Sequence, residues 1–564
     1  MKQFSHIQYH IFLSLVFMVG FLWHLLAPGY VILLDWTAGP EPLFSYNNVD
    51  HMINAPLNGL LYLLGSVLPG WVVQKGTLIL LGFALLFVPL RISFFCDFFV
   101  RLFVALIVAI NPFVYERLLA GQWRVVVGYL FTYALIVFLL RRIPDYRKIF
   151  GTLLLCGFFS IHFLVIGSIV ILIWFLVKLF VGHALISRTG FVLGFLRTAV
   201  LFILLSLYWI VPFITSQLSA DAPLSPAVSF GPEHWEAFAT VGEQRWGAVV
   251  NVFFMHGFWL EGRAWAEDFS IASQAPLFVY GLLALYGLAA LGVCHFFWRK
   301  SSEKTPCLWR RFGAWFLTVL FLVSFCFSLG LGTSPFYGIN LWLFEHVSLW
   351  SGFRDSQKWS GVMILVLALV AAWGVQCVYR FLHDTTRVLG WVFGMACLLL
   401  PFMITPSMML GFASQTQVSW YPQSWENARS ILLERAEESP CTIVSLPWHQ
   451  YYRLDHNGES LSANVSRRFF PCVVVSSLNT ALGDVGTEVS RIDDAYTVID
   501  TIVTSNDDRD EVMTAAADGL RAAGVTHIVL TDDLFGQDLY RYPFLEEKSL
   551  TKIFDEDGVL IFAL

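Results

Sequence analysis

The chain's 564 residues are 57% hydrophobic and 13% charged, with a mean hydropathy of +0.66, whereas soluble globular domains carry about a quarter charged residues. That balance excludes a soluble globular protein and makes this a polytopic membrane chain before any motif is read. The formal charge of -6 averages basic short loops with acidic polar segments, no basic patch suggests a nucleic-acid partner, and the nine cysteines show no CxxC or Cys/His spacing of a zinc or redox site.

The N-terminal MKQFSHIQYH precedes a long apolar run without an A-x-A-like cleavage site, which predicts a retained signal-anchor helix. A crossing takes about 20 apolar residues. Suitable segments run over 9–34, 71–90, 102–111, 125–140, 195–214, 276–297, 312–331, 359–379 and 388–404, the third being short and tilted or extended by its neighbours. The stretch 149–180 is too long for one straight span. Basic residues lie on both sides of it, Arg141, Arg142, Arg147 and Lys148 before and Arg188 and Arg197 after, so an even number of crossings satisfies the positive-inside tendency. Two short helices turning near Ser160, Ile161 and His162 are expected, for about eleven spans in all. With the N-terminus cytoplasmic, the basic loops at 91–101, 299–311 and 380–387 fall on the cytoplasmic side. The polar segments 35–70, 215–274 and 333–358, the turn near Arg117 to Arg124 and everything after Pro406 then fall outside.

On that outer side, Asp35 closes the first helix, either as a charge stopping a helix at the water boundary or as a functional carboxylate. The part 51–68 has apolar residues at mixed spacing that suit the membrane interface. The loop 215–274 holds Glu233, His234, Trp235, Glu236, Trp246, His256, Trp259, Glu261, Trp265, Glu267 and Asp268. Indole rings beside carboxylates suit sugar recognition, by stacking on pyranose C-H faces and bonding to hydroxyls; an interfacial aromatic belt is the competing reading. Near residue 350 the chain reads SLWSGFRDSQKWSG. Arg354 and Lys358, four residues apart at the start of a span, would share one helix face, and the helix N-terminus adds free N-H groups and partial positive charge. That predicts a phosphate clamp, with snorkelling to lipid headgroups as the alternative.

After residue 410 the pattern changes to short apolar strands, CTIVSLP, PCVVVSS, THIVLTDD and TKIFDEDGVLIFAL, with a helical DRDEVMTAAADGLRAAGV among them. The expected organisation is a membrane domain over 1–410 and a small soluble α/β domain over 411–564, ending in a hairpin at the Asp-Gly of 555–558. Cys441 and Cys472 are the cysteines of this domain, and an oxidising exterior permits a disulfide between them. The domain has no G-x-S-x-G, HExxH or Walker A signature.

With these residues laid out, the chain resembles the GT-C superfamily of membrane glycosyltransferases, in particular its YfhO-like and arabinofuranosyltransferase-like branches. Four features in order carry the resemblance: Asp35, the run NPFVYERLLAGQW, the run GFRDSQKWSG, and a C-terminal domain with SLPWHQYY and AGVTHIVL. The resemblance implies transfer of a sugar from a polyprenyl-phosphate carrier to a cell-envelope glycan or glycolipid acceptor, as in polysaccharide biosynthesis, on the outer face of a bacterial or archaeal plasma membrane. It implies Asp35 as the base toward the acceptor hydroxyl. Arg354 and Lys358, then Arg117 and Arg124, are the implied cations for the leaving phosphate. Asp50, His51, His162, Trp235, His256 and Glu261 are candidate cleft or sugar contacts, with a hydrogen-bonded structural histidine as the competing reading for His162 and with Asp50 and His51 as the reservation on a metal-free site. No DxD follows Asp35, so no obligatory metal and no cofactor beyond the lipid-linked sugar donor is expected. A transporter or flippase of a lipid-linked glycan, or an envelope assembly protein, are the competing functions. Charges crowded at span ends and the lack of an internal repeat count against transport.

Overall fold

The computed structural model describes all residues except 1, 43, 45–48, 142, 182–187, 219–234, 236, 243–245, 262–275, 299–306, 333–334, 459, 478–479, 483–484, 488–493, 506–509, 532–541, 543–544 and 546–549. Glu233, His234, Glu236, Trp265, Glu267, Asp268 and the side chain of Asp50, all singled out in the sequence, lie outside the described residues.

Long apolar runs satisfy their backbone in lipid as helices, with one correction: the first expected run, 9–34, is helical only to Leu26 and continues as extended chain, so Asp35 does not close a helix. In chain order the helices are α1 (Lys2–Leu22), α2 (Gly70–Ile92), α3 (Phe98–Ala109), α4 (Trp123–Leu139), α5 (Tyr146–Phe159), α6 (Ile161–Val181), α7 (Arg188–Leu218), α8 (Leu277–Trp298), α9 (Cys307–Ser328), α10 (Lys358–Thr385) and α11 (Arg387–Ile404). Among the described residues eight helical stretches are long and apolar enough to cross a membrane. The other three of the expected crossings are the shorter α4, α5 and the apolar part of α9. This is an integral membrane protein. The break expected in 149–180 falls at Ser160, between α5 and α6.

The short third segment is extended by its neighbour. After α3 the chain turns at Asn111, whose side chain accepts from Val114 N at 3.0 Å and donates to the carbonyls of Ile107 and Val108. With Pro112 at the first helical position, where a missing N-H costs nothing, this cap starts a buried helix over Pro112–Leu119. The turn expected near 117–124 falls at 120–122, because the helix started by the Asn-Pro cap runs on to Leu119.

The centre of the bundle is α10, buried without a break from Lys358 to Ala372. A helix apolar all round belongs in a core. It crosses α8 so closely that a Cβ on Gly374 would lie 1.9 Å from the Leu288 carbonyl oxygen, and one on Gly292 2.1 Å from that of Val370. Small residues allow this approach, and dispersion contacts hold it.

The C-terminal part forms a five-stranded sheet of β1 (Thr442–Leu446), β2 (Val473–Val475), β3 (His527–Thr531), β4 (Thr551–Glu556) and β5 (Val559–Ala563), in the order β2-β1-β3-β5-β4. The first three are parallel and the last two close an antiparallel hairpin. Its turn is Asp557-Gly558, both with positive φ, as a tight hairpin requires. Alternation along the strands gives the sheet two apolar faces. Ile443, Val529 and Ile561 meet the helix Gln423–Glu438, while Val444 and Ile528 meet Asp494–Thr504 and Asp510–Ala522. Cys441 and Cys472 form a disulfide across Cα atoms 4.9 Å apart.

This domain does not hang free. Segment 30–41 leaves the α1 region as a strap across it: Tyr30 pairs with Ser419 in a two-way backbone bridge, Ala463 N donates to Leu34 O at 2.7 Å, and Tyr421 Oη donates to Ala38 O at 2.6 Å. Glu41 is ion-paired with Arg429. Tyr30, Ile32 and Ala38 belong to the same apolar cluster as Trp425 and Phe469.

Gly374→Ala is expected to lower stability by about 1–3 kcal/mol through overpacking, read as a reduced thermal unfolding midpoint in detergent. Gly287→Ala, on the same helix pair but with nothing within 4 Å of the added Cβ, is expected to leave the midpoint unchanged or raise it slightly.

Candidate functional site

Asp35 owes its position to both sides of the strap. Its N-H donates to Ala120 O at 2.8 Å. The 120–122 turn comes this close because Gly121 takes φ +79 and has no Cβ; one would stand 2.6 Å from Trp36 N. The Asp35 carboxylate accepts from Gln122 Nε2 at 2.8 Å and from Tyr451 Oη at 3.3 Å. Gln122 is held in turn by Arg117 Nη1, which donates to Gln122 Oε1 at 2.8 Å. Arg117 is fully buried and forks onto Asp355, Nη2 to Oδ1 at 2.8 Å and Nη1 to Oδ2. Lys358 Nζ stands 3.4 Å from the same Oδ2. One chain of polar contacts thus runs from Asp35 through Gln122 and Arg117 to Asp355 and Lys358, joining three of the four sequence features, and Tyr451 attaches the fourth at Asp35.

The electrostatics follow from enclosure. Asp35 is exposed toward a cavity, yet protein walls surround it. Burial raises its carboxyl above the ordinary range, and the hydrogen bonds from Gln122 and Tyr451 oppose the rise. Tyr451 is raised well above its usual value, by burial and then by the Asp35 charge. Burial works to raise Asp355 too, but the Arg117 and Lys358 cations outweigh it and hold the carboxyl well below the usual range.

The cavity beside Asp35 has a volume of about 960 Å³. Asp35, Trp36, Trp123, His51, His162 and Asn58 line it, and so do three arginines, Arg124, Arg467 and Arg468. Arg124 donates to Asn58 Oδ1 at 2.6 Å. Burial, with the neighbouring Arg124 cation, brings Arg468 down to about 10. His162 Nε2 lies 2.9 Å from Gly352 O. One wall is the helix Ala55–Gly65, which turns Asn58, Leu61 and Tyr62 to the cavity and leaves Leu60, Leu63 and Leu64 exposed on its other side.

The structure brings Asp35, His51, His162 and Arg124 to the cavity. Arg117, Arg354 and Lys358 are not among the residues lining it. The expected clamp on one helix face is corrected: α10 begins at Lys358, so Arg354 lies in the preceding turn, over the Phe238 ring at 4.8 Å. Asp355 engages Lys358 and Arg117 instead. Trp235 stacks on Phe344, with centroids 5.3 Å apart. His256 and Glu261 pair at 3.0 Å beside Glu116. Burial pushes Glu261 up, but His256, a hydrogen bond with Glu116 and the Gly257 amide outweigh it and leave the carboxyl below its usual value. Gln122, Asp355, Tyr451, Arg467 and Arg468 were missed in the sequence. Asp355 between two cations in RDSQK, and the tyrosine pair of SLPWHQYY, were the available signals.

No protein-family model and no curated protein matches this sequence. Among solved structures the chain is similar to the mycobacterial arabinofuranosyltransferase AftD, determined by single-particle cryo-electron microscopy, with a TM-score of 0.61 at 13% identity. The fold is GT-C-like. The likeness covers 99% of this chain and 39% of that one, so the chain spans well under half the length of its structural neighbour. Nothing in the likeness favours the YfhO-like branch.

Asp355→Asn leaves the buried Arg117 charge without a counter-ion, and such half-removed pairs cost about 3–5 kcal/mol. The expected result is a large fall in the thermal midpoint of the purified protein. An unchanged midpoint would mean that the pair does not hold these elements together.

Proposed function

We propose that this protein is a membrane glycosyltransferase that moves a sugar from a polyprenyl-phosphate carrier to a glycan or glycolipid acceptor of the cell envelope. The observation that carries this reading is the single cavity holding the Asp35 carboxylate and three arginines against a helix with exposed leucines. The fold likeness to an arabinofuranosyltransferase supports it and makes an arabinofuranosyl donor the first to test.

In this mechanism the acceptor hydroxyl gives its proton to Asp35 as its oxygen bonds to the anomeric carbon of the donor. The bond from that carbon to the phosphate oxygen breaks, and the lipid phosphate departs with the electron pair. Enclosure keeps Asp35 basic enough for the task. Arg124, Arg467 and Arg468 stabilise the negative charge that gathers on the phosphate, most strongly where water is excluded. Arg117 and Lys358 act one layer back, holding Asp355 and, through Gln122, the base. Trp36 and Trp123, with ring centroids 5.5 Å apart, offer faces for a sugar. The isoprenoid tail reaches the cavity past Leu60, Leu63 and Leu64.

The N-terminus is cytoplasmic and the C-terminal domain extracytoplasmic in this reading. The basic loops support that orientation, as does the disulfide, which belongs to an oxidising compartment.

In liposomes supplied with polyprenyl-phosphoryl arabinofuranose and an arabinan or mannan oligosaccharide, the wild-type protein is expected to extend the acceptor. Asp35→Asn is expected to reduce the rate at least a hundredfold with unchanged protein yield. Carrier flipping with no transfer to any acceptor would reject the transferase in favour of a flippase. Tyr451→Phe gives a second check. It removes a donor that favours the charged form of Asp35, so the carboxyl rises further and the acid limb of the rate profile moves to higher pH. A limb that stays in place would exclude Asp35 as the titrating base.

A further inference from the structure

A second buried cluster lies beside this network and has no part in the transfer chemistry. Glu116 precedes Arg117 on the helix Pro112–Leu119, and the turn 256–261 packs against that helix, with the Phe258 ring 4.4 Å from Arg117 Cζ. Gly257, at φ +112, lets the turn fold back so that its N-H donates to Glu261 Oε2 at 2.9 Å, while His256 Nδ1 meets Glu261 Oε1 at 3.0 Å. One ligating atom from each of Glu116, His256 and Glu261 lies within 4.8 Å of the other two.

Glu116 is only 5% exposed, and its Oε1 is buried without a hydrogen-bond donor among the described residues. Two carboxylates this close, away from water, repel each other unless a proton or a cation comes between them. The terminal nitrogens of Arg117 are turned to Gln122 and Asp355. The donor set is one imidazole nitrogen and two carboxylates from two separate chain segments. Magnesium and calcium sites are built from oxygen alone, whereas imidazole with carboxylate suits zinc and its first-row neighbours. Metal bonds of about 2.1 Å at tetrahedral angles put two donors about 3.4 Å apart, so closure around an ion takes side-chain shifts of up to about an ångström.

We propose that Glu116, His256 and Glu261 form a binding site for a divalent transition-metal cation, zinc foremost. The site is distinct from the DxD pattern whose absence led to the expectation of no obligatory metal. Its ion joins the 256–261 turn to the helix that carries Arg117, and so acts on Asp35 only by positioning.

The test uses the full-length protein, untagged, stripped with a chelator, incubated with zinc chloride and desalted. Elemental analysis is expected to find close to one zinc per chain, and zinc, with manganese to a lesser degree, is expected to raise the thermal midpoint saturably where magnesium and calcium do not. Glu116→Gln and Glu261→Gln are each expected to lose the bound zinc and the rise. Both remove charge without removing volume, so their metal-free midpoints are expected to equal or exceed that of the stripped wild type. Wild type holding no zinc, both variants keeping it, or an equal response to magnesium would each overturn the proposal. None of these measurements involves a sugar donor, so they stand or fall apart from the transferase reading.

Discussion

Arg117 has no solvent-exposed surface, and an ion taken out of water without a partner costs several kcal/mol. Asp355 meets it with both oxygens, and Lys358 joins from the first turn of α10. The pair therefore does more than neutralise charge. It sets where the Pro112–Leu119 helix lies against the entry to the central helix, and through Gln122 it sets where the Asp35 carboxylate lies. A planar guanidinium has enough donors for both tasks at once, bidentate to the carboxylate and single to the amide, which a lysine ammonium would do with far less directional control.

The strap 30–41 carries this order outward. It is apolar but extended rather than helical, so its backbone groups find partners outside the segment, in Ser419, Ala463, Arg468 and Ala120. Three of those partners lie in the C-terminal part. Among the described residues, the C-terminal part accordingly supplies one of the two side chains that bond to Asp35, Tyr451, and two of the three arginines lining the cavity. A domain with no catalytic signature of its own completes a site whose carboxylate comes from the other end of the chain. The same geometry explains why Asp35 is both accessible and raised: the cavity admits a solvent-sized group while its walls remove most of the water that would stabilise the charge.

Much of the architecture was legible because it rests on local rules. Apolar length marked the helices, the basic residues flanking 149–180 required a break that falls at Ser160, and Asp557-Gly558 marked the last hairpin. Asp35 was read as the charge closing the first helix and Arg124 was implied by the resemblance; the helix ends well before Asp35, yet both residues reach the cavity. Arg354 and Lys358 misled, because a spacing of four implies a shared face only if both residues are helical, and Arg354 is not. Asp355 passed unnoticed between them. An acid flanked by two cations reads as a solvated surface triplet until its burial is known.

The sequence by itself determined that this is a polytopic membrane protein with an α/β appendage, and roughly where each helix and strand lies. Hydropathy, period and turn chemistry act over a few residues and survive any rearrangement of the elements. The tertiary structure alone decided which charges are buried together. Arg117 and Asp355 are 238 residues apart, and Asp35 and Tyr451 are 416 apart. The free energy of a buried charge depends on what surrounds it in space, and no local pattern carries that information.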